Sequence, residues 1–422
     1  MSARATALVR LGDEVTGADR TLGTPNVKFL ESLGVRVFPD DGSGVDSSTD
    51  EVIVSTAIEE TNAGLVKAKA LGIPVTHRAK ALSRTLKDYK LVAVVGTCGK
   101  STVTAMLGHV LSACGLDPMC VNGANVPGWE GAVRFGKGEY AVAEVDESDK
   151  SLVAFKPYAA IVTNASADHY SKEEMDEVFD AFVKDCEGPV VDGRNVEIWK
   201  YENGGIDELG NGGNAGWVTP LPGKHNLQNA ALAAKMALAL GCKADDVKCA
   251  LSTFRGVERR LQLITRPSSA FNLQPSTLRP ASPAVYDDYA HNPEKLRAMW
   301  TTLAEKYPEG ICVIWRPHGY APLRKMMDAL AAMFVGTVRP QDKLLLLPVY
   351  DAVVTTDRSV NSDALLTEVE KRGGGGQRWV LVSDLEKAYQ WCAAHKGDYA
   401  AFVTCGARDP GLPVLAKRLA EM

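Results

Sequence analysis

The chain has 422 residues, 45% of them hydrophobic and 23% charged, with a formal net charge of -5 at pH 7. These values are ordinary for a globular protein of two or three domains, and the mildly acidic balance argues against a nucleic-acid or anionic-membrane surface. Nine cysteines without a Cys-x-x-Cys pair fit neither a disulfide framework nor a structural zinc site, so we expect a reduced, cytoplasmic compartment. The chain shows no apolar signal core and no membrane-spanning apolar run, so the expected partners are small molecules, with no nucleic acid and no membrane.

Short apolar runs alternate with helical patterns, which predicts an α/β fold of three domains, at residues 1–88, 89–256 and 257–422. The first is predicted to be a small Rossmann-like domain with a parallel sheet. Its strand candidates are EVTGAD, GVRVFP, EVIVSTAI and IPVTH.

The second domain opens with the most informative stretch of the chain, VVGTCGKST at residues 94–102. An apolar strand candidate from Lys90 precedes it, and a helical pattern follows it. The apolar positions of that helix are Val103, Met106, Leu107, Val110 and Leu111. A glycine-bearing turn from strand to helix directs backbone N–H groups and the positive helix end at one point, which suits phosphate. In such a turn Lys100 reaches the terminal phosphates and Ser101 holds Mg²⁺, so the motif predicts ATP binding.

One alternative for this stretch is a helix start that arises by chance. The first glycine of the general phosphate-loop pattern would fall at Val94, so the match is imperfect.

Two more strand candidates of the second domain, YAVAEVDES and AAIVTNAS, end in polar residues. The last helix is predicted at residues 226–240, where an alanine-rich run stops at Gly241. Segments rich in Gly, Asn, Pro and Ser predict loops at residues 202–216 and 267–283.

Four acids in six positions begin at Glu144, in the segment EVDESDKS. The carboxyl ends of strands in open α/β sheets are where ligands bind, and a cation offsets the repulsion between such acids. Mg²⁺ takes a few carboxylate or hydroxyl ligands together with phosphate oxygens and water, which favours Glu144 and Ser101 as ligands. The alternative is a solvated acidic turn without a ligand.

Four of the seven histidines fall in loop motifs of one kind, and this clustering at strand ends favours a shared site. They are His169 in ADHY, His225 in PGKHN, His291 in YDDYAHNP and His318 in WRPHGY. Any one of them alone is more typical of a surface or capping histidine.

The third domain is predicted to contain a helix that begins at Pro293, because proline suits the first helical turn. Its apolar face consists of Leu296, Met299, Trp300 and Leu303. Its strand candidates are ICVIW, KLLLLPV and AAFVTCG.

Taken together, the motifs resemble the Mur ligase family, in which they occur in the same order. The motifs are GTCGKST, EVDESDKS, VTNASADHY, PGKHNLQNAA, GVERRLQ, YDDYAHNP and RPHGY. The segments IVSTAIEETN, GIPVTHRAKAL and VYDAVVTTDRSVNSDAL extend the similarity over nearly the whole chain.

The resemblance implies an ATP-dependent amide ligase of peptidoglycan precursor synthesis, with one domain each for a UDP-sugar, ATP and an amino acid. Such enzymes transfer the γ-phosphoryl group to a carboxylate, and an amine then attacks the acyl phosphate. The implied small molecules are ATP, UDP-N-acetylmuramate and L-alanine, with Mg²⁺ as the cofactor, in a monomer or weak homodimer. Positioning and positive charge, more than a covalent nucleophile, catalyse phosphoryl transfer.

The resemblance also implies roles for individual residues near ATP. The phosphates would be cradled by Gly96, Thr97, Cys98, Gly99, Lys100, Ser101 and Thr102. Ser101 and Glu144 would hold one Mg²⁺, and Glu144 with His169 a second. Near the nucleotide and the reaction centre would lie His225, Asn226 and Asn229, with Asn229 facing adenine.

In the third domain the resemblance places Arg260 and Asp288 over ATP, and His291, Asn292 and His318 on the amino-acid side. For the Arg259-Arg260 pair, a hinge salt bridge is the alternative to a direct ATP contact.

Some features depart from the family pattern. Met1 aligns just after the family's first strand and the glycine-rich turn that receives the UDP diphosphate, so we expect weak binding of the UDP-sugar. Two arginines that follow the Pro-His pair in close relatives are replaced by Gly319 and Pro322, with Arg324 as the candidate substitute. Two alternatives stay open: ligation of a preformed peptide to the same nucleotide sugar in cell-wall recycling, and a non-catalytic nucleotide-binding paralogue.

Overall fold

The computed structural model describes residues 1–146, 151–165, 172–194, 200–202, 205–207, 219–264, 282–351, 357–374, 376 and 378–422. The chain divides into two compact units, Met1–Val257 and Glu258–Met422. The predicted α/β class is confirmed in both. The domain boundary predicted at residue 88 lies inside the first unit and stays a prediction.

The start of the first unit contains four short helices and four short strands, and the four predicted strands are confirmed. In chain order the elements are α1 (Ser2–Leu11), β1 (Thr16–Asp19), α2 (Pro25–Ser32), β2 (Arg36–Pro39), β3 (Val52–Val54), α3 (Ala63–Ala70), β4 (Val75–His77) and α4 (Arg78–Thr85). Strands β1 and β2 pair in parallel, and so do β3 and β4. The described residues thus form two separate two-stranded parallel sheets here, where the sequence predicted one sheet.

A six-stranded sheet with the strand order β10-β9-β5-β8-β6-β7 forms the centre of the first unit. Its elements are β5 (Lys90–Val95), α5 (Lys100–Ala113), β6 (Met119–Val121), β7 (Val133–Arg134), β8 (Tyr140–Glu144), a 3-10 helix (Ser151–Ala154), β9 (Ala159–Val162), α6 (Lys172–Val183), β10 (Val190–Asp192), β11 (Lys200–Glu202), β12 (Gly205–Asp207), α7 (Lys224–Ala239) and α8 (Ala244–Ser252). All neighbours in this sheet are parallel except β6 and β7. The carboxyl ends of β9, β5, β8 and β6 therefore meet at one edge of the sheet.

Helix α5 is buried more completely than its apolar stripe predicts. Thr104 and Ala105 are fully buried although neither belongs to that stripe. Helices α7 and α8 pack against α5, which contacts the sheet at β5, β6 and β8, and α7 also contacts β10. The alanine-rich sequence of α7 permits this close approach, because small side chains let helix backbones come together.

One predicted loop contains ordered structure. Within residues 202–216, Glu202 and Gly205 pair in the antiparallel hairpin of β11 and β12. Turn residues alone do not reveal the short strands that flank them, because pairing of the backbone supplies the stabilisation.

The second unit contains a six-stranded sheet. The described strands have the order β13-β14-β18-β15-β16-β17, and β13 alone among them pairs antiparallel. Its elements are β13 (Gln262–Leu263), β14 (Ala284–Asp288), α9 (Pro293–Lys306), β15 (Ile311–Trp315), α10 (Tyr320–Thr337), β16 (Lys343–Leu346), α11 (Ser362–Lys371), β17 (Trp379–Leu381), α12 (Leu385–Ala394), β18 (Ala401–Cys405) and α13 (Gly411–Ala420). The predicted strands and the predicted helix at Pro293 are confirmed. Trp300, Trp315 and Phe334 pack edge to face in its core. No helix in the described ranges is long and apolar enough to cross a membrane.

Candidate active site

The loop between β5 and α5 has the backbone geometry of a phosphate-binding turn. Gly96 and Gly99 both adopt positive φ, at 125° and 86°, and α5 begins directly after Gly99. A Cβ atom at Gly96 would lie 2.1 Å from the Thr163 hydroxyl, and one at Gly99 would lie 2.7 Å from the Asn229 amide oxygen. Only glycine fits at both positions, and the first N–H groups of α5 are available to an anion.

The end of β9 holds this loop in shape. The Asn164 side chain accepts hydrogen bonds from the Thr97 hydroxyl (2.7 Å) and the Cys98 N–H (3.0 Å), and it donates one to the Cys98 carbonyl (2.9 Å). The Thr163 hydroxyl donates to the same carbonyl at 2.6 Å. Sequence reasoning missed both residues, although the polar end of the strand candidate AAIVTNAS was the available signal.

Lys100 lies at the first position of α5, and its ammonium group donates to the Gly96 carbonyl at 2.6 Å. The side chain thus folds back across the loop instead of extending into solvent. Ser101 and Thr102 follow in the first turn and are both buried, at 5% and 6% exposure. The predicted phosphate-loop residues are therefore brought together at one helix N-terminus.

Glu144 lies at the carboxyl end of β8, next to the phosphate loop. The strand register pairs Glu144 with Val94 of β5, two residues before Gly96. One carboxylate oxygen, Oε2, accepts a hydrogen bond from the Gly123 N–H at 2.8 Å. Gly123 follows β6, the neighbour of β8 on its other side. The carboxylate is half-buried and keeps one oxygen that accepts no hydrogen bond from the described residues.

Beyond Glu144, Asp146 forms an ion pair with Arg78 at 2.7 Å, which attaches the start of α4 to this end of the central sheet. The rest of the predicted acidic run, residues 147–150, lies outside the described residues, and so does His169. The predicted second metal site is therefore still a prediction.

The start of α7 packs beside the phosphate loop. Asn229 is 7% exposed, and its side chain lies against Gly99 and donates to the Asn226 oxygen at 3.4 Å. Asn226 in turn donates to the Pro222 carbonyl at 2.7 Å. His225 is in the first turn, where burial lowers the pKa of its imidazole. The structure thus brings Asn229 to the loop, with Asn226 hydrogen-bonded to it, and the role of Asn229 toward adenine is still a prediction.

In the second unit, Arg260, which was predicted to contact ATP, and its neighbour Arg259 have different polar partners. Arg259 pairs with buried Asp287 at 3.3 Å and donates to the carbonyls of Gly406 and Ala407. Arg260 lies over the Tyr289 ring, 4.9 Å from its centroid, and forms no hydrogen bond or ion pair with the described residues. Arg259 therefore forms a salt bridge within the second unit, and the contact of Arg260 with ATP stays a prediction.

Asp288 is bound by the backbone of its own unit. Its two oxygens accept the N–H groups of Leu261 and Ala290, both at 2.7 Å, and burial raises the pKa of this carboxyl. The side chain is 9% exposed. Its predicted contact with ATP stays a prediction.

Three residues predicted for the amino-acid side lie close together in the second unit. The rings of His291 and His318 meet edge to face with centroids 4.9 Å apart. Burial, with Arg408 and Lys295 nearby, lowers the pKa of His318. The Asn292 oxygen caps α9 by accepting the Lys295 N–H at 2.9 Å.

Arg324, the candidate substitute for the family's arginines, forms an ion pair with Asp357 at 2.6 Å and donates to Ser359. Its side chain is 43% exposed. Capture of an amino-acid carboxylate by Arg324 would therefore have to compete with Asp357.

In this sheet a glycine loop lies at the start of a buried helix, and a carboxylate lies at the end of the neighbouring strand, β8. This arrangement defines a phosphate-binding α/β protein. Two family descriptions match the chain: "Mur ligase family, catalytic domain" at residues 1–90 and "Mur ligase, glutamate ligase domain" at residues 276–408. The chain belongs to the Mur ligase family.

Similar proteins cover nearly the whole chain. The UDP-N-acetylmuramate--L-alanine ligase of Rhizobium etli is 28% identical over 99% of this chain and 94% of its own length. The enzyme of that name from Carboxydothermus hydrogenoformans is 29% identical over 93% of this chain and 88% of its own.

Solved structures show the same fold. The UDP-N-acetylmuramate-alanine ligase of Thermotoga maritima has a TM-score of 0.79 and 24% identity, over 100% of this chain and 96% of that one. A murein peptide ligase of Psychrobacter arcticus has a TM-score of 0.66 and 20% identity, over 100% and 97%.

Proposed function

We propose that the protein is an ATP-dependent ligase that joins L-alanine to UDP-N-acetylmuramate in the synthesis of peptidoglycan precursors. The observation that carries this proposal is the phosphate loop of Gly96 to Thr102 beside Glu144, in a chain similar over its length to ligases of that name. ATP and a UDP-sugar are the small-molecule partners that follow from it.

The proposed reaction has two steps. A carboxylate oxygen of the sugar's lactyl group attacks the γ-phosphorus, and the bond from that phosphorus to the bridging oxygen of ADP breaks. The amine of alanine then attacks the acyl carbon, gives up a proton, and inorganic phosphate leaves with the former carboxylate oxygen. The protein must orient three reactants and offset negative charge, which is where the loop contributes.

The phosphate loop supplies fixed hydrogen-bond donors for this charge. Thr163 and Asn164, which follow β9, hold the Cys98 peptide in place, and the Cys98 N–H is itself bound to Asn164. The proposed donors to phosphate are therefore the N–H groups at the start of α5, which this anchored loop orients. Donors that need no reorganisation stabilise developing charge most effectively. On ATP binding, the Lys100 ammonium group would exchange the Gly96 carbonyl for phosphate oxygens.

The donor set near the loop fits Mg²⁺. Ser101 contributes a hydroxyl and Glu144 a carboxylate, and hard oxygen ligands of this kind suit that cation. The Glu144 carboxylate is bound through Oε2, and its second oxygen accepts no hydrogen bond from the residues that the structure describes. Bound Mg²⁺ would neutralise charge on the phosphates, and His169 is proposed as a further ligand on the strength of the resemblance alone.

The proposed roles of the second unit rest on the resemblance. Arg260 is the stronger candidate for a contact with ATP, since Asp287 and two carbonyls already bind Arg259. His291 and His318 offer an aromatic pair for the amino-acid side, and the lowered pKa of His318 favours the neutral form of that imidazole.

An amine screen tests the proposal. Purified protein is given ATP, Mg²⁺ and UDP-N-acetylmuramate with single amino acids or with a preformed peptide, and phosphate release and product mass are measured. We expect product with L-alanine. Product with the peptide alone would replace the proposal with the recycling activity, and phosphate release with no amine would leave a nucleotide hydrolase.

A further inference from the structure

The turn that follows β6, at Asn122 and Gly123, is in direct contact with the Glu144 side chain. The Gly123 N–H donates to Oε2 of Glu144 at 2.8 Å. A Cβ atom built on Gly123 would lie 2.5 Å from Oε2, and 2.7 Å from both Oε1 and Cδ. The carboxylate therefore lies directly over the glycine, and no side chain fits between them.

The Gly123 donor is held in place by contacts that do not involve Glu144. The Asn122 N–H donates to the Ala132 carbonyl at 2.9 Å, and its side-chain amide donates to the Ala124 carbonyl at 3.1 Å. Asn122 is 3% exposed, so the turn is built into the fold. The Gly123 N–H is thus a fixed point from which the carboxylate can be oriented.

Orientation matters because a free glutamate side chain samples several rotamers. A hydrogen bond to one oxygen of a metal-binding carboxylate selects one of them and aims the other oxygen, and such outer partners commonly change metal affinity by about 10–100-fold. The register places this glutamate between β6 and β5, with the Gly123 turn on one side and the phosphate loop on the other.

We propose that Gly123 is a positioning residue that aims the Glu144 carboxylate at the cation of the phosphate loop. This inference rests on the proposed function, because it takes Glu144 to be a ligand of Mg²⁺. The role it assigns to Gly123 is exerted through Glu144, the side chain that Gly123 contacts.

Gly123→Ala tests the proposal with little risk to folding. The φ of Gly123 is not in the left-handed region, and the atoms that the new methyl group meets are the far end of a flexible side chain. The carboxylate must move, while the backbone can stay. Gly336→Ala is the matched control, because no atom lies within 4 Å of a Cβ at that site in α10.

The first measurement is Mn²⁺ binding by electron paramagnetic resonance, with a non-hydrolysable ATP analogue and no turnover. We expect Gly123→Ala to weaken Mn²⁺ binding about tenfold, while thermal unfolding and metal-free binding of the analogue stay as in the wild type. Gly336→Ala should leave Mn²⁺ binding unchanged. Wild-type Mn²⁺ affinity in Gly123→Ala would overturn the proposal.

A double-mutant cycle with Glu144→Gln separates the positioning role from a general disturbance. If Gly123 acts through Glu144, Gly123→Ala has no further effect on Mn²⁺ affinity in the Glu144→Gln background. An equal tenfold loss in both backgrounds would overturn the positioning role. If Glu144→Gln itself binds Mn²⁺ as the wild type does, the metal role in the proposed function fails, which is a distinguishable result.

Discussion

The two six-stranded sheets each have acidic residues at the carboxyl end of an inner strand, and these acids have different surroundings. Glu144 at the end of β8 accepts one backbone N–H and is half-buried. Asp288 at the end of β14 accepts two, from Leu261 and Ala290, and is 9% exposed. Asp287 beside it accepts the Thr404 hydroxyl and pairs with Arg259.

Because of this difference, the Glu144 carboxylate can take a ligand, whereas the carboxylates of Asp287 and Asp288 are bound by residues of their own unit. A cation needs an available oxygen, and Glu144 has one that accepts no hydrogen bond from the described part of the chain. Asp287 and Asp288 attach the segment around Arg259 and Leu261, two non-glycine residues with φ of 59° and 46°. Such strained backbone persists only where surrounding contacts enforce it.

The largest effect is expected at the phosphate loop of the first unit. Lys100→Ala should lower turnover about 10³-fold, because one charged donor to developing charge is lost. Phosphate release with all three substrates is the assay, and circular dichroism should be unchanged. Lys90→Ala, at the opposite end of β5 on an exposed pair with Glu139, is the control and should keep full activity. Comparable losses in both variants would contradict the loop assignment.

Glu144→Gln should raise the Mg²⁺ concentration needed for half-maximal activity by about 10²-fold. The loss of a metal ligand should lower metal affinity at least as much as the loss of a residue that is hydrogen-bonded to a ligand. Glu139→Gln, a glutamate just before β8 that pairs with Lys90, should leave the Mg²⁺ titration unchanged. If Glu144→Gln has an unaltered Mg²⁺ dependence, Glu144 is not a metal ligand and does not differ in this respect from Asp287 and Asp288.

Asp288→Asn should act mainly on stability. The asparagine side chain has one acceptor oxygen, which can accept one of the two backbone N–H groups. Its NH₂ group would face the other N–H, so we expect a loss of about 2 kcal/mol in the free energy of unfolding. Urea unfolding checks this value, with exposed Asp328→Asn on α10 as the control. If the variant is as stable as the wild type, the backbone contacts of Asp288 contribute little to stability. Titration of the same variant with ATP tests whether Asp288 also contacts nucleotide.

The smallest effect is expected for Thr404→Val, and it should depend on pH. Burial raises the pKa of Asp287 to about 6, while the Arg259 charge and the Thr404 hydroxyl oppose that rise. Because the folded state binds the proton more tightly than the unfolded chain, with its pKa near 4, this group's contribution to stability decreases as pH rises through that interval.

Loss of the Thr404 hydroxyl removes a hydrogen bond to the ionised form and raises the pKa of Asp287 further. The variant should therefore lose about 1 kcal/mol at pH 8 and much less at pH 5. Thermal unfolding at both pH values measures this, with Thr404→Ser as the variant that keeps the hydroxyl. A loss that is independent of pH would mean that the hydroxyl serves packing alone.

Much of the local structure could be predicted from the sequence, because periodicity and glycine chemistry are local. The strand Lys90–Val95, the turn at Gly96 and Gly99, and the start of α5 at Lys100 are where the pattern predicted them. Ordered motifs were sufficient for the family resemblance, which the comparisons confirmed.

The tertiary structure decided which polar groups meet. Asn164 and Thr163 contact the phosphate loop about 65 residues away, and Gly123 meets Glu144 across neighbouring strands. Asp288 and Glu144 look alike in sequence, since each ends an apolar strand, but only the fold directs two backbone N–H groups at Asp288 and one at Glu144. Strand order and register set these distances, and they depend on the packing of the whole sheet, which no single segment encodes.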